Sequence, residues 1–367
     1  MKKFLSLILA LVMACSLIAC GGKEEAPAPA PSAPSTSAPS TSAPSTSAPA
    51  APEAPAFDKE YKWSLASTYA TGSVVIQMYE RFAELANEYT EGAVTITVFP
   101  DGTIASEDDA IAQVMSGELE FCATGATLVN SKLTPENGWI AAPFMFESPA
   151  VREAVYNSDY WMAIRQQWAE ENNILDLAGG FNRGNRTLVS KTKVESAADL
   201  KGLKLRMNSD AMWNAAWQAM GATTVTVPLG ELYTSFQTGV VAACENPMSE
   251  SGNLNIGEVA AYVMPTNHVA ECAGIWMCYD LFTSLPENYQ TAIKKAAEDA
   301  MADCLPLVAD EEAMWLAKYQ EQGCEYVENV DIDSFRAAAA EFWQEMFETT
   351  WTSISYEDAM ALIDSCK

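Results

Sequence analysis

The spacing of apolar and polar positions changes several times along the chain, and each change marks an element. An unbroken, largely apolar run from Phe4 to Ala19 stands behind Lys2 and Lys3. It is short for a bilayer span and carries the basic flank of a secretory signal peptide, which places that peptide at residues 1–19. From Ala26 to Ala56 the periodicity disappears into Ala, Pro, Ser and Thr, with APSTS recurring from Ala33, Ala38 and Ala43. Such a stretch has nothing to bury and stays extended, so residues 20–56 are expected to form a tether reaching up to about 90 Å.

Beyond Phe57 strand and helix periods alternate. Lys62–Ala66 alternates as a strand, Ser73–Tyr89 has helical spacing, and Val94–Phe99 is a strand ended by Pro100-Asp101-Gly102. A helix over Ala110–Met115 and a strand over Leu119–Ala123 follow. The second half repeats the rhythm with strands at Leu175–Ala178, Thr187–Ser190, Leu203–Arg206, Thr223–Val227 and Val240–Cys244. Its helices begin at the Ser196 cap, at Ala211 and at Glu231, and a long helical stretch from Pro286 to Gly323 carries Pro306 as a kink. This alternation predicts an α/β protein of two lobes, with parallel sheets faced by helices. In open parallel sheets ligands sit beyond the C-terminal strand ends. That rule selects Ser67, Thr68 and Tyr69, the loop from Asp101 to Glu107, Thr124, Arg206 to Asn208, and Glu245-Asn246.

Charge narrows the choice of ligand. The formal charge of −28 becomes −30 once Lys2 and Lys3 leave with the signal, which excludes nucleic acid as a partner and obliges an anionic ligand to find local cations. Those cations cluster: Arg183, Arg186 and Arg206 fall within one short stretch. Arg206 ends a strand, where its guanidinium fork can hold a carboxylate in the crevice or form a structural salt bridge. Arg186 reaches toward the same place from a turn-rich segment, and Arg183 is expected to face solvent. Asn246, at a strand tip fixed by Pro247, offers an amide, and Trp213 can wall the pocket just beyond Arg206. Trp217 and Trp276 read as core. The single histidine, His268, reads as a buried structural residue and leaves no second imidazole for a metal site. There is no GxSxG, HExxH, P-loop or dinucleotide fingerprint, so neither catalysis nor a cofactor is indicated. Seven cysteines beyond Cys15 and Cys20, with no CxxC pair, indicate neither a zinc site nor a disulfide framework.

Leu17-Ile18-Ala19-Cys20 resembles a bacterial lipobox, in which Cys20 takes the lipid and becomes the first mature residue. The folded part has its own resemblance. Arg186, Ala198-Asp199-Leu200-Lys201-Gly202-Leu203-Lys204-Leu205-Arg206, Gly221-Ala222, Pro228, Glu231, Tyr233, Gly239-Val240-Val241 and Glu245-Asn246-Pro247 follow one another in the order seen in one family. The match extends through Phe99-Pro100-Asp101-Gly102, Pro143-Phe144, Thr266-Asn267-His268-Val269 and Ser284-Leu285-Pro286. The chain thus resembles the DctP-type solute receptors of tripartite ATP-independent periplasmic (TRAP) transporters. The resemblance implies a two-lobe, periplasmic-binding-protein-like α/β fold with a ligand cleft between lobes and a long lobe-spanning helix. One lobe would take residues 57–183 plus 272–311, the other 184–271 plus 312–367. It further implies that Arg206 is the main carboxylate clamp, that Arg186 supports it and that Asn246 adds a hydrogen bond, with Thr68, Tyr69, Glu107, Thr124 and Trp213 completing the site.

The expected ligand is a small organic acid, and the expected partner a two-part membrane permease driven by an ion gradient. The receptor would stand lipid-anchored at the outer face of the cytoplasmic membrane or in the periplasm. Ala242-Ala243-Cys244 replaces the family's usual Asp-Gly-Gln, and Leu229 stands where an aromatic often floors the pocket, so the ligand itself does not carry over. A receptor for an ABC importer, or a surface hydrolase or adhesin, are the rival readings.

Overall fold

Among the described residues eleven strands organise the fold: β1 (Tyr61–Ser67), β2 (Val94–Phe99), β3 (Phe121–Gly125), β4 (Ile174–Asp176), β5 (Phe181–Ser190), β6 (Lys204–Met207), β7 (Thr223–Thr226), β8 (Ala243–Pro247), β9 (Tyr262–Met264), β10 (Ala270–Cys278) and β11 (Glu325–Tyr326). The computed structural model describes residues 57–367, so the signal peptide, Cys20 and the tether lie outside the described residues. The strands run in the order β2-β1-β3-β10-β5-β8-β6-β7, with β4 beside β10 and β9, carrying β11, beside β5.

On the two flanks the parallel pairing expected from helix-strand alternation is present: β1 pairs in parallel with β2 and β3, and β6 with β7 and β8. The centre departs from it. β10 runs antiparallel to β3, β4 and β5, and β5 runs antiparallel to β8 and β9. The reason is topological, because β5 carries the chain from the first half of the molecule to the second and β10 brings it back.

Two strands also differ in extent from the sequence reading. β5 begins at Phe181 rather than Thr187, and the turn-like Asn182-Arg183-Gly184-Asn185 lies inside it. Gly184 has φ +97 there and the pairing with β10 is irregular between Ala270 and Cys272, so the turn residues mark a distortion within a strand, not its end. β8 is shifted from Val240–Cys244 to Ala243–Pro247: Val240 is exposed, and Glu245 and Asn246 are buried strand residues.

Pro306 does interrupt the long helical stretch, which forms the helices Glu287–Cys304 and Leu307–Glu321. The first buries Ile293, Ala296 and Ala300 in the core around β1 to β3, while the second buries Trp315 and Tyr319 in a separate core around β8 and β9. Trp315 lies against Gly252, where a Cβ would come within 2.3 Å of the indole. A third and larger cluster holds Trp139, Trp161, Trp213, Trp217 and Trp276, and is covered by the C-terminal helices Ile332–Thr349 and Tyr356–Ser365 through Phe335, Phe342 and Ile363.

Candidate functional site

The strand ends converge as the crevice rule requires. Ser67 and Tyr69 at the end of β1 accept the backbone N–H groups of Gly102 (2.9 Å) and Asp101 (3.0 Å) through their carbonyls, fixing the loop beyond β2 against them. That loop leads into the helix Glu107–Ser116, capped by Ser106 and carrying Glu107, Asp108 and Asp109 in its first turn, where carboxylates suit the helix dipole. The result is a cavity of about 710 Å³ lined by Thr68, Tyr69, Glu107, Arg183, Arg206 and Asn208, with an apolar side that includes Val75, Val227, Leu229 and Leu254. An adjoining recess adds Arg186, Trp213, Asn246 and Glu271. Seven of the eight residues selected from sequence therefore face one space. The eighth, Thr124, stands behind it and donates its hydroxyl to Glu107 Oε1 at 2.9 Å.

The three clustered arginines have different surroundings. Arg206 is 3 % exposed, donates Nε to the Val227 carbonyl at 2.8 Å, and forms no ion pair with any described residue. Burial lowers its pKa from the usual guanidinium value, against the pull of Glu250 and Glu245. A desolvated guanidinium without a carboxylate, on the wall of a cavity, is a group that an anion can complete.

Arg186 is saturated. Its Nε and Nη2 donate to the Glu245 carboxylate at 2.5 and 2.8 Å, Nη1 to Glu271 at 2.7 Å, and Nη2 also to the Glu245 carbonyl and to Asn246 Oδ1. The guanidinium lies over the Trp213 ring at 4.3 Å, and the Trp213 indole N–H donates to the Ala141 carbonyl at 2.7 Å. Burial pushes the Glu245 carboxyl up, but Arg186 and the His268 hydrogen bond overcome it and hold the group down at about 2. His268 is buried as expected, with Nε2 2.9 Å from Glu245 and Nδ1 2.9 Å from Thr266 Oγ1. Glu271 fits behind β3 because Gly125 has no side chain: a Cβ there would lie 2.8 Å from Glu271 Oε1.

Arg183 corrects the sequence reading. It is buried, not solvent-facing, because the extended β5 carries it inward; Nη1 bonds Glu250 at 2.6 Å and the guanidinium stacks 4.3 Å above the Tyr69 ring. Its partner comes from the helix Met248–Asn253, far along the chain, so no local signal marked the pairing of Arg183 with Glu250. Burial, then repulsion from Glu250, raises the Glu107 pKa. Around the cavity Thr68 Oγ1, Tyr69 Oη, Asn246 Nδ2 and Arg183 Nε are buried without a hydrogen-bond partner. Unpaired buried polar groups are uncommon in folded proteins, and four at one cavity are groups a polar ligand can satisfy.

Among the described residues no cluster of three or more His, Cys, Asp or Glu side chains is placed to hold a metal ion, and all the cysteines are free thiols. No described helix is long and apolar enough to cross a membrane.

Comparison with known proteins agrees with the α/β fold. A family model described as bacterial extracellular solute-binding protein, family 7 (DctP) matches residues 65–350. A solute-binding protein of Roseobacter denitrificans is 30 % identical over 259 residues, covering 71 % of this chain and 78 % of that protein. The 2,3-diketo-L-gulonate-binding periplasmic protein of Escherichia coli is 25 % identical over 268 residues, covering 73 % of this chain and 81 % of its own. A TRAP periplasmic solute-binding protein of Roseobacter denitrificans, solved with β-D-glucuronate, superposes with a TM-score of 0.76 at 25 % identity, covering 83 % of this chain and 99 % of that one. Another from the same organism, solved with L-galactonate, gives a TM-score of 0.74 at 26 % identity, covering 84 % of this chain and 99 % of the other. With the family model spanning both flanks of the cavity and the strands between them, the chain belongs to family 7 of the bacterial extracellular solute-binding proteins, the DctP family of TRAP receptors.

Proposed function

We propose that this receptor binds one small organic acid, with its carboxylate on Arg206, and delivers it to a TRAP-type membrane carrier. The observation that carries this reading is Arg206 itself, buried, unpaired and on the cavity wall. Arg186 then acts as a brace that holds Asn246 and Trp213 in place, leaving Asn246 Nδ2 free for the carboxylate. Thr68, Tyr69 and Glu107, the last steadied by Thr124, receive the remainder of the ligand. Hydroxyl-bearing acids suit these groups, and the sugar acids found with the similar proteins favour that class.

The ligand bridges two lobes, taken as 57–183 plus 272–311 and 184–271 plus 312–367, and closes them by binding the closed form better; a shift from 1:99 to 99:1 requires about 5.5 kcal/mol of differential affinity. Lipid on Cys20 and the tether over 20–56 would keep the receptor at the outer face of the membrane near its permease.

A thermal-shift screen of the purified, ligand-stripped protein against D-glucuronate, L-galactonate and other small acids, with neutral sugars alongside, tests the assignment. An acid present at about 100 times its Kd should stabilise the protein by about 2.7 kcal/mol. Arg206→Ala should weaken that acid by about 2–5 kcal/mol, the range for truncating one partner of a buried charge pair. Equal responses to a neutral sugar in wild-type and Arg206→Ala protein would overturn the carboxylate clamp.

A further inference from the structure

The cavity walls carry more acid than base, and their cations are nearly all committed. Arg183 belongs to Glu250 and Arg186 to Glu245 and Glu271, while at the rim Lys132 pairs with Asp108 at 2.7 Å. Among the described residues lining the cavity and its recess, Arg206 alone is a cation with no acid partner. One free guanidinium matches one carboxylate.

Glu107 is the opposite case. It begins the helix Glu107–Ser116, lines both the cavity and the recess, and is only partly buried. Its Oε1 accepts the Thr124 hydroxyl at 2.9 Å, and its carboxylate forms no ion pair with any described residue. Thr124 is a neutral donor and leaves that charge in place. Glu250 lines the same recess, and its repulsion adds to burial in raising the Glu107 pKa, while Arg183 and Arg206 pull the other way without overcoming it. Because Arg206 and Glu107 share the small recess as well as the cavity, an acid seated on Arg206 has Glu107 among the groups around its remainder.

We propose that Glu107 restricts this receptor to acids with a single carboxylate, whose far end is uncharged and presents a hydroxyl to Glu107. A second carboxylate at that end would meet Glu107 and Glu250 with no free cation to neutralise it. A hydroxyl there is neutral and donates to the Glu107 carboxylate. Selection of this kind works by penalising the wrong ligand, since like charges repel far more strongly in a desolvated site than in water. The inference rests on the assignment of the ligand carboxylate to Arg206 and narrows the class of acid.

The probes are pairs that share a carbon chain and differ at one end, a primary alcohol against a carboxylate: L-galactonate with galactarate, and D-gluconate with D-glucarate. Their Kd values are measured by titration calorimetry on the purified, ligand-stripped protein, at neutral pH and constant ionic strength, for wild type and for Glu107→Gln, which keeps an acceptor for the Thr124 hydroxyl. In wild type the monocarboxylate of a bound pair should be tighter than its dicarboxylate partner by at least about tenfold. Glu107→Gln should shrink that ratio by strengthening the dicarboxylate. Equal or tighter dicarboxylate binding in wild type, or a ratio unchanged in Glu107→Gln, overturns the proposal. Absence of binding by all four acids overturns the hydroxy-acid reading and this one with it, a failure distinct from dicarboxylate binding. Should Glu107→Gln fail to fold, the wild-type ratio is joined by crystals grown with the tighter monocarboxylate: a ligand hydroxyl on Glu107 supports the proposal, and a Glu107 carboxylate bonded only to protein and water overturns it.

Discussion

Arg183, Arg186 and Arg206 share a side chain and a short stretch of sequence, yet the structure gives them three situations. Arg206 faces the cavity with no acid beside it, Arg186 is held by Glu245 and Glu271, and Arg183 pairs with Glu250 while stacking on Tyr69. Position at a strand end drew attention to Arg206 but left a ligand clamp and a structural salt bridge both open. Nothing local separated the other two, because their acids lie about 60 to 85 residues further on and reach them only through tertiary packing. A saturated guanidinium between two buried carboxylates has a testable consequence. Arg186→Ala leaves Glu245 and Glu271 buried and uncompensated, and should lower stability by about 3–5 kcal/mol, read from urea unfolding of the ligand-free protein. A loss under about 1 kcal/mol would show that Arg186 does not brace the site.

At the scale of elements, the clearest strands and helices were those bounded by strong local signals. Val94–Phe99 was legible because Pro100-Asp101-Gly102 ends it, and the helix Ala211–Ala219 because Gly221 closes it; the structure adds a cap at Asp210, which accepts the Trp213 amide at 3.0 Å. β5 and β8 were mislocated where polar residues enter the sheet interior, since those residues are tolerated only because Arg186 reaches across to Glu245 and Asn246. The Asp210 cap carries its own prediction. Its carboxyl is almost fully buried, and burial, only partly offset by its hydrogen bonds, raises its pKa from 3.8 to about 6. A carboxyl raised in the folded state holds its proton more tightly there, so the wild type loses stability as the pH climbs from 3.8 through about 6. Asp210→Asn retains a capping oxygen but does not titrate. Its stability relative to wild type should therefore improve between pH 3.5 and 7, by at most about 3 kcal/mol, in parallel denaturation series. A difference that stays flat across that range would contradict the assignment.

For the whole molecule, the decisive feature is that β5 and β10 lie between the two flanks and belong to both. β5 pairs with β10 on one side and with β8 and β9 on the other, so the sheet is continuous from β2 to β7. The two helices around Pro306 add a second link, packing into the first core and then into that of the second half. Neither half can lose its sheet without stripping edges from the other. Unfolding of the ligand-free protein is therefore expected to be one transition, with coincident midpoints by far-ultraviolet circular dichroism and tryptophan fluorescence. Separated midpoints would show that the halves unfold independently.

The sequence by itself determined the α/β class, most of the flanking strands, the kink at Pro306 and the strand ends that line the cavity, because periodicity, caps and breakers are properties of neighbouring residues. It also placed Arg206, in an acidic chain, at a strand end that lines the cavity. Tertiary structure alone decided that the central strands run antiparallel, that Arg183 is buried, that Arg186 is neutralised, and that Arg206 stands on the cavity wall without an acid partner. Each of those depends on which distant carboxylate comes within reach of a guanidinium, and at low dielectric a few ångströms decide whether a charge is paired.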